Sequence, residues 1–270
     1  MDISGKTAVI TGGATGIGFG IAQAFAAGGA KVVIAGHVAE QMEEGLARLQ
    51  AEFPDAELRQ VVCDVMQEDQ VQALFEAVPD VDYAIANAGS GAPGGILQLE
   101  ADSWKYCCEL NILGTALTLK YAGLAMKERG GSIVTVSSVA ASRPGIFMAP
   151  YSATKAAVET LTKCAAVELG GFNIRVNCIA PGFIWTEATS AFLPQRMHEE
   201  MIRESYLGRK GMPDDIADTV LYLCTEQSRF VTGQVIAVDA GLSIYDQSYE
   251  DLARSLYGDE AIDAILPGTA

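Results

Sequence analysis

Seven short runs of apolar and β-branched residues recur along the chain, and stretches with a helical spacing of apolar residues separate most of them. Runs that are apolar at nearly every position are typical of strands buried on both faces of a parallel sheet. The predicted strands are residues 7–11, 31–35, 58–63, 81–86, 132–137, 174–179 and 234–238. The predicted helices are residues 16–27, 40–53, 68–77, 103–127, 151–169 and 213–224.

The alternation of these elements indicates the fold class. Strands that alternate with helices form a doubly wound parallel sheet with helices on both faces. We therefore predict an α/β fold with a seven-stranded parallel sheet in a single domain, residues 1–243, that includes a substrate lid at about residues 183–207. Residues 244–270 are predicted to be a C-terminal extension.

The composition argues against several classes of function. The six cysteines include no CxxC pair and the chain has only two histidines, so neither a metal site nor a disulfide scaffold is predicted. A net charge of −16 repels phosphate backbones and argues against a nucleic-acid partner. No apolar run reaches the roughly 20 residues of a membrane span, and the N-terminus lacks a signal pattern. We expect a cytoplasmic protein without a membrane partner.

A glycine-rich turn joins the first predicted strand to the first helix, with the sequence Thr11-Gly12-Gly13-Ala14-Thr15-Gly16-Ile17-Gly18. Glycines let the backbone turn tightly and approach a pyrophosphate, which then lies at the N-terminus of the helix. The GxxxGxG spacing differs from the usual GxGxxG, and glycine-rich turns also occur for steric reasons. The position between strand and helix nevertheless favours a Rossmann-like dinucleotide site.

The end of the second predicted strand bears on the choice of cofactor. Gly36 stands where an Asp or Glu would hold the ribose 2′-hydroxyl of NAD. The missing carboxylate leaves room for a 2′-phosphate, and His37 could donate a hydrogen bond to it. His37 could equally be a surface residue or a face for the adenine. The sequence leans slightly towards NADP and leaves NAD open.

Two further turns are candidates for cofactor contacts. Asp64-Val65 follows the third strand, where the carboxylate could accept a hydrogen bond from the adenine amino group or could cap the next helix. Asn87-Ala88-Gly89 ends the fourth strand, and its small residues would let the backbone pass close to the cofactor ribose.

The strongest catalytic signal is the sequence Tyr151-Ser152-Ala153-Thr154-Lys155, which follows Pro150 at a predicted helix start. The i, i+4 spacing places the tyrosine and the lysine on one helix face. A phenol with a pKa near 10 is a poor base at neutral pH, but a neighbouring ammonium and an oxidised nicotinamide favour the phenolate. A solvated helix face is the alternative. Ser138, at the end of the fifth strand, strengthens the catalytic interpretation because its hydroxyl could hold a substrate oxygen.

Together these motifs resemble the short-chain dehydrogenase/reductase family over about residues 4–243. The matching motifs are TGGATGIG (11–18), CDV (63–65), ANAG (86–89), Asn111, SS (137–138), YSATK (151–155), RVNCIAPGFIWT (175–186) and VTGQVIAVDAG (231–241). The resemblance implies an oxidoreductase that moves a hydride between NADP or NAD and a small carbonyl or alcohol substrate. It also implies a homo-oligomer, a tetramer or a dimer.

The resemblance assigns a role to each of four residues. Ser138 would polarise the substrate oxygen, and Tyr151 would be the acid/base. Lys155 would bind the nicotinamide ribose and lower the pKa of the tyrosine. Asn111 would support a proton-relay water near the lysine.

Further cofactor contacts follow from the same resemblance. Pro181-Gly182 should pass beneath the nicotinamide, and Ile184 and Thr186 should meet its carboxamide. Two positions depart from the family pattern. Ala86 replaces a frequent Asn, and Thr15 is not the basic residue that many NADP-using relatives carry, which weakens the expectation of NADP.

Three segments should form the substrate walls, residues 90–96, 139–148 and 183–207. Their bulky apolar residues favour an apolar or cyclic substrate: Phe147, Met148, Phe183, Trp185, Phe192 and Met197. One alternative function is that of a sugar-nucleotide epimerase, which needs a larger substrate region. Another is a non-catalytic cofactor-binding relative, which would be expected to have lost one of the four catalytic residues.

The C-terminal extension has a short helical pattern at residues 249–257. Tyr249, Leu252, Leu256 and Tyr257 repeat at spacings that could form one apolar face. A free helix of this length is marginal in water, so we expect the face to pack on the lid or on a neighbouring subunit. A frayed terminus is the alternative.

Overall fold

A computed structural model describes residues 2–192, 194–244 and 246–265. Its seven-stranded sheet has the order β3-β2-β1-β4-β5-β6-β7, and neighbouring strands are parallel. The strands are β1 Thr7–Thr11, β2 Lys31–Gly36, β3 Leu58–Val62, β4 Tyr83–Ala86, β5 Gly131–Val136, β6 Ile174–Pro181 and β7 Val235–Val238. The predicted α/β fold with a doubly wound sheet is confirmed.

Helices cover both faces of this sheet. They are α1 Gly16–Ala27, α2 Ala39–Glu52, α3 Glu68–Glu76, α4 Ala101–Cys107, α5 Gly114–Met126, α6 Ala149–Leu169, α7 Glu187–Phe192, α8 Gln195–Arg203, α9 Pro213–Cys224, α10 Gln247–Tyr257 and α11 Asp259–Asp263. Helices α1, α2 and α9 pack on one face, and α3, α5 and α6 pack on the other. Within the described ranges, no helix is both long enough and apolar enough to cross a membrane.

The sequence predicted one continuous helix for residues 103–127, and the structure divides it. A π-helical turn, Cys108–Leu113, separates α4 from α5. Such a turn adds a residue to the helical repeat, so it changes the direction of nearby side chains without interrupting the apolar pattern. The turn contains Asn111, which is fully buried.

The strand order positions the candidate site. The chain builds outwards from β1 to β3 on one side, and then crosses back to β4 beside β1. The crossovers therefore leave in opposite directions from β1 and β4, and a crevice opens at the carboxyl ends of these strands. The glycine-rich turn follows β1, and the turn at Asn87 follows β4, so both lie at this crevice.

Some of the predicted residues fall outside the described ranges. These are Leu193 of the predicted lid, and Tyr245 and residues 266–270 of the predicted extension.

Candidate active site

A cavity of about 1160 Å³ occupies the crevice at the carboxyl ends of the strands. Most of the residues predicted from the sequence line it. They are Gly12, Thr15, Gly16, Ile17, Gly18, Gly36, His37, Asn87, Ala88, Gly89, Ser138, Tyr151, Lys155, Pro181, Gly182, Ile184 and Thr186. The structure therefore brings most of the candidate cofactor residues and three of the four candidate catalytic residues to one space.

The glycine-rich turn has a shape that side chains would prevent. Gly12 and Gly16 have φ values of +64° and +55°, in the left-handed region that favours glycine. A Cβ on Gly18 would lie 2.1 Å from the carbonyl oxygen of Gly12. The Thr15 side chain makes no capping hydrogen bond and the first turn of α1 contains no acidic residue, so its backbone N–H groups are available to a phosphate. This cradle fits a dinucleotide.

A hydrogen-bond network joins the glycine-rich turn to the turn after β4. The Thr11 hydroxyl accepts hydrogen bonds from the backbone N–H groups of Asn87, at 3.1 Å, and Ala88, at 3.2 Å. The Asn87 amide in turn donates to the carbonyl oxygens of Thr11, at 3.0 Å, and Gly12, at 3.1 Å. The sequence analysis assigned no role to the Thr11 side chain. A hydroxyl at the end of a buried strand could have indicated a hydrogen bond to a neighbouring turn.

The other end of the cavity lies beside β2. Gly36 and the exposed His37 line it, together with Gln41 and Met42, which sequence reasoning did not single out. No carboxylate stands among the described residues that line this end of the cavity. This end therefore has space for a 2′-phosphate, but the described residues that line it include no arginine that could bind the phosphate bidentately.

Asp64 and Val65 are not part of the described cavity lining. The Asp64 carboxylate accepts a hydrogen bond from the Met66 N–H at 3.0 Å, within its own turn. Val65 is buried and lies against Gly114, where an added Cβ would be 2.7 Å from the valine Cγ2. The adenine contact of Asp64 and the cofactor contact of Val65 stay predictions.

The start of helix α6 and the end of β5 hold the catalytic candidates. The Lys155 ammonium donates to the carbonyl oxygen of Val136 at 2.8 Å, and the Ser137 hydroxyl donates to the carbonyl oxygen of Lys155 at 3.0 Å. These two bonds fix α6 against β5, so that Ser138, the residue after Ser137, faces Tyr151. The Ser138 side chain lies close enough to the Tyr151 phenol to lower the pKa of that phenol.

Burial controls the ionisation of this pair. Desolvation lowers the pKa of the buried Lys155 ammonium to about 8. Desolvation also raises the pKa of Tyr151, and the hydrogen bond from Ser138 offsets part of this rise. The sequence led us to expect the lysine to lower the tyrosine pKa. In the structure, the ammonium donates to the Val136 carbonyl oxygen and lies 5.6 Å from the centroid of the tyrosine ring. Its effect on the tyrosine pKa stays a prediction.

Asn111 lies behind the cavity lining rather than in it. Its amide donates to the carbonyl oxygen of Ser90 at 2.8 Å and to the Thr154 hydroxyl at 2.9 Å, and its Oδ1 accepts from the Ser90 N–H at 3.0 Å. A Cβ on Gly89 would lie 2.9 Å from both the Asn111 Oδ1 and the Lys155 Nζ. Asn111 therefore ties the loop after β4 to α6 beside the lysine. Its support of a relay water stays a prediction.

The chain is similar to known proteins in both sequence and structure. A family model described as enoyl-(acyl carrier protein) reductase matches residues 12–243. The 3-oxoacyl-[acyl-carrier-protein] reductase FabG of Thermotoga maritima is 37% identical over 253 residues, which are 90% of this chain and 100% of that protein. The 3alpha-hydroxysteroid dehydrogenase of Mediterraneibacter gnavus is 33% identical, over 88% of this chain and 97% of that protein.

Solved structures agree with these relatives. The L-sorbose reductase of Gluconobacter frateurii, solved with NADPH and L-sorbose, is 30% identical with a TM-score of 0.83, over 91% of this chain and 100% of that chain. A short-chain type dehydrogenase/reductase from Mycobacterium ulcerans is 31% identical with a TM-score of 0.87, over 97% of this chain and 98% of that chain.

The chain belongs to the short-chain dehydrogenase/reductase family. It is an oxidoreductase that transfers a hydride between a nicotinamide cofactor, NAD(P), and a carbonyl or alcohol substrate. The family membership predicted from the sequence is confirmed, and the epimerase and the non-catalytic relative are not favoured.

The substrate side of this short-chain dehydrogenase/reductase is largely apolar. The predicted wall residues that line the cavity are Phe147, Met148 and Phe183, and Met201 and Leu242 join them. Phe147 has a φ of +64°, which is strained for an aromatic residue, and its carbonyl oxygen accepts a hydrogen bond from the Gly94 N–H at 3.1 Å. A backbone hydrogen bond therefore joins two of the predicted wall segments, residues 90–96 and 139–148.

Leu242 and Arg143 are functional candidates that sequence reasoning missed. Leu242 is buried and lines the cavity from just before the predicted extension. Arg143 lines the cavity from the loop after Ser138, and its guanidinium donates to the Leu242 carbonyl oxygen at 2.6 Å. The two residues are 99 positions apart in sequence, so no local pattern could have paired them.

The predicted extension forms helix α10, and its apolar face is exposed. The exposed fractions are 72% for Tyr249, 53% for Leu252, 64% for Leu256 and 73% for Tyr257. Glu250 lies on another side of the helix and is 8% exposed. Packing of the apolar face on the lid is therefore not observed. Packing on a neighbouring subunit stays a prediction.

Proposed function

We propose that this enzyme interconverts a small ketone or aldehyde and the corresponding alcohol, with Tyr151 as the acid/base and Ser138 as the group that holds the reacting oxygen. The observation that carries this proposal is the convergence of Ser138, Tyr151 and Lys155 in one cavity with the glycine-rich turn. The bound nicotinamide supplies or accepts the hydride.

The residues of the chain handle the proton and the orientation. In reduction, the Ser138 hydroxyl donates a hydrogen bond to the carbonyl oxygen and the Tyr151 phenol transfers its proton to that oxygen as the alcohol forms. The raised pKa of Tyr151 keeps the phenol protonated before this transfer. Lys155 is a cation below its pKa of about 8, where it favours the phenolate that remains.

A screen of carbonyl compounds tests this function. Purified enzyme is mixed with NADPH or NADH and with a panel of ketones, aldehydes and their alcohols, and the absorbance of the reduced nicotinamide is followed. We expect turnover of at least one apolar or cyclic carbonyl compound and of its alcohol. Failure of every compound with both cofactors would contradict the proposal.

We propose a modest preference for NADP(H) over NAD(H), based on Gly36 and His37. Gly36→Asp adds a carboxylate where a 2′-phosphate would lie, so like-charge repulsion should shift the affinity ratio about tenfold towards NAD(H). Titration of both cofactors against wild type and variant measures this ratio. A strong NAD(H) preference in the wild type would overturn the proposal.

Gly36→Ala is the matched control for this prediction. A Cβ at this position lies 2.8 Å from the Met42 sulfur, at the flexible end of its side chain, so both substitutions require the same shift of Met42. Only the aspartate adds charge. The alanine variant should keep the wild-type ratio of affinities even if it lowers both.

We also propose that the extension, residues 244–270, supports the substrate side of the domain at residues 1–243. Hydrogen bonds from Ser248 lower the pKa of Asp246, and the positive charge of Arg143, a residue of the cavity lining, lowers it further, so the extension lies within the field of that lining. Removal of the extension should therefore disturb the substrate side of the cavity and leave the cofactor side unchanged.

A truncation after Ser243 tests this role. It should raise KM for the carbonyl substrate several-fold and lower Tm, by roughly 2–4 °C for each kcal/mol by which the free energy of unfolding falls. Steady-state kinetics, thermal unfolding and gel filtration measure these effects. A chain that ends at Ile265 is the control, and it should behave like the full chain.

Unchanged KM, Tm and elution volume after truncation at Ser243 would leave the extension without the proposed role.

The homo-oligomer and the cytoplasmic location stay predictions. The elution volume of the full chain tests the homo-oligomer.

A further inference from the structure

The substrate half of the cavity contains a cation that the proposed chemistry does not use. Apart from the catalytic group, the charged side chains in its described lining are Arg143, from the loop after Ser138, and Glu204, from the end of α8. The surrounding wall is apolar and includes Phe147 and Leu242. A charged group on such a wall selects among substrates more strongly than the apolar surface does.

The position of Arg143 is fixed at both its backbone and its side chain. Its N–H donates to the carbonyl oxygen of Val139 at 2.8 Å, which places it about one turn beyond Ser138. One guanidinium nitrogen donates to the Leu242 carbonyl oxygen at 2.6 Å. A guanidinium has five N–H donors, so most of its donors are not used by this bond.

The segment that receives Arg143 is itself held rigidly. The Asp239 carboxylate accepts hydrogen bonds from the N–H groups of Gly241, at 3.0 Å, and Ser243, at 2.7 Å. The Tyr206 N–H donates to the carbonyl oxygen of Ala240 at 2.9 Å. Leu242 therefore offers its carbonyl oxygen from a fixed turn, and this orients the guanidinium fork.

No carboxylate of the described residues lies within ion-pair distance of Arg143. Its field nevertheless reaches its neighbours. It adds to the hydrogen bonds from Ser248 that lower the pKa of Asp246, and it opposes the rise in the pKa of Tyr206 that burial and Glu250 cause. In a chain with a net charge of −16, Arg143 is the cation that the described lining of the substrate half presents, beside the Glu204 carboxylate. Such a cation attracts an anion and binds it bidentately.

We propose that Arg143 determines specificity by binding an anionic group, a carboxylate or a phosphate, carried by the substrate away from its reacting carbonyl. The substrate class is then an oxo acid or an oxoalkyl phosphate with an apolar chain. This inference deepens the proposed function and rests on it. The competing role for Arg143 is structural, as a tie between its loop and Leu242.

Matched substrate pairs test the inference. A series of linear oxo acids of increasing length is compared with the methyl ester of each, and an oxoalkyl phosphate is compared with its neutral alcohol. The wild type should favour at least one anionic member over its neutral partner about tenfold or more in kcat/KM. The preferred anion type distinguishes a carboxylate from a phosphate ligand, and the preferred length gives the distance to the carbonyl.

Substitutions of Arg143 separate the two roles. Arg143→Gln should abolish the preference by raising KM for the anionic substrate about tenfold, with kcat/KM for the neutral partner within about twofold of wild type. Arg143→Lys keeps the charge but not the fork, and should retain part of the preference. Arg229→Gln removes an exposed arginine that is not in the described cavity lining. It should change neither the preference for the anionic substrate nor kcat/KM for the neutral partner.

Two results overturn the inference. One is the absence of an anionic preference in the wild type. The other is an equal loss of kcat/KM for the anionic substrate and its neutral partner in Arg143→Gln. That result is expected if Arg143 only holds its loop against Leu242. Failure of the proposed function looks different, because then neither the esters nor the acids oxidise the reduced cofactor in any variant.

Discussion

Tyr151→Phe is expected to reduce kcat by about 10²–10⁴-fold, the usual contribution of a positioned acid/base. The substitution removes the phenol oxygen and keeps the ring that packs at the start of α6. The cofactor cradle of the glycine-rich turn is untouched, so the affinity for NADP(H) should stay within a few-fold of wild type. Single-turnover kinetics and a fluorescence titration of the reduced cofactor measure the two effects separately.

Tyr106→Phe is the matched control because Tyr106 also lines the cavity and loses the same atom. It should keep most of the wild-type turnover. Near-normal turnover in Tyr151→Phe on a substrate that the wild type accepts would exclude Tyr151 as the acid/base. Equal losses in both variants would mean that the cavity needs its hydroxyl groups for binding rather than for proton transfer.

The ionisation of Tyr151 predicts how the rates of alcohol oxidation and carbonyl reduction depend on pH. Burial raises the pKa of Tyr151, so the phenolate fraction is small at neutral pH and grows as pH rises. Alcohol oxidation needs the phenolate as base, so its kcat should increase with pH. Carbonyl reduction needs the protonated phenol and should not show this increase. Tyr151→Phe should remove the pH dependence of oxidation along with the activity.

The sequence was sufficient for features that local residues determine. The strands could be predicted because continuous β-branched runs leave few alternatives, and the glycine-rich turn because glycine adopts the φ values of Gly12 and Gly16 more readily than any other residue. The pairing of Tyr151 with Lys155 follows from helical spacing alone. These locally determined features account for most of the residues in the candidate cofactor site.

Contacts between distant segments could not be predicted in this way. The π-helical turn that aims Asn111 at Ser90 and Thr154 leaves the apolar pattern of the long helix intact, so the sequence predicted one straight helix. The bond of Arg143 to Leu242 joins two loops whose approach depends on the finished sheet. The direction of the Lys155 ammonium likewise depends on a carbonyl oxygen of β5, which only the packing of α6 on that strand brings near.

Gly18→Ala is expected to weaken cofactor binding by about tenfold to a hundredfold. The added methyl group would lie 2.1 Å from the Gly12 carbonyl oxygen and 2.6 Å from the Asn87 Nδ2. The first of these atoms belongs to the backbone, which cannot move aside as the end of a flexible side chain can. Overpacking of this kind typically costs about 1–3 kcal/mol, and each 1.4 kcal/mol is a factor of ten in an equilibrium constant.

The strain would fall on the part of the site that shapes the cofactor cradle. To relieve the collision, the Gly12 carbonyl must turn away, which breaks the hydrogen bond that it accepts from the Asn87 amide. The turn after β4 would then lose part of its connection to the glycine-rich turn. Binding of the pyrophosphate and binding of the ribose should therefore both weaken. Gly171→Ala is the control, because a Cβ there has no neighbour within 4 Å. Titration of NADPH and NADH checks the prediction; wild-type affinity in a folded Gly18→Ala protein would show that the cofactor does not depend on this turn.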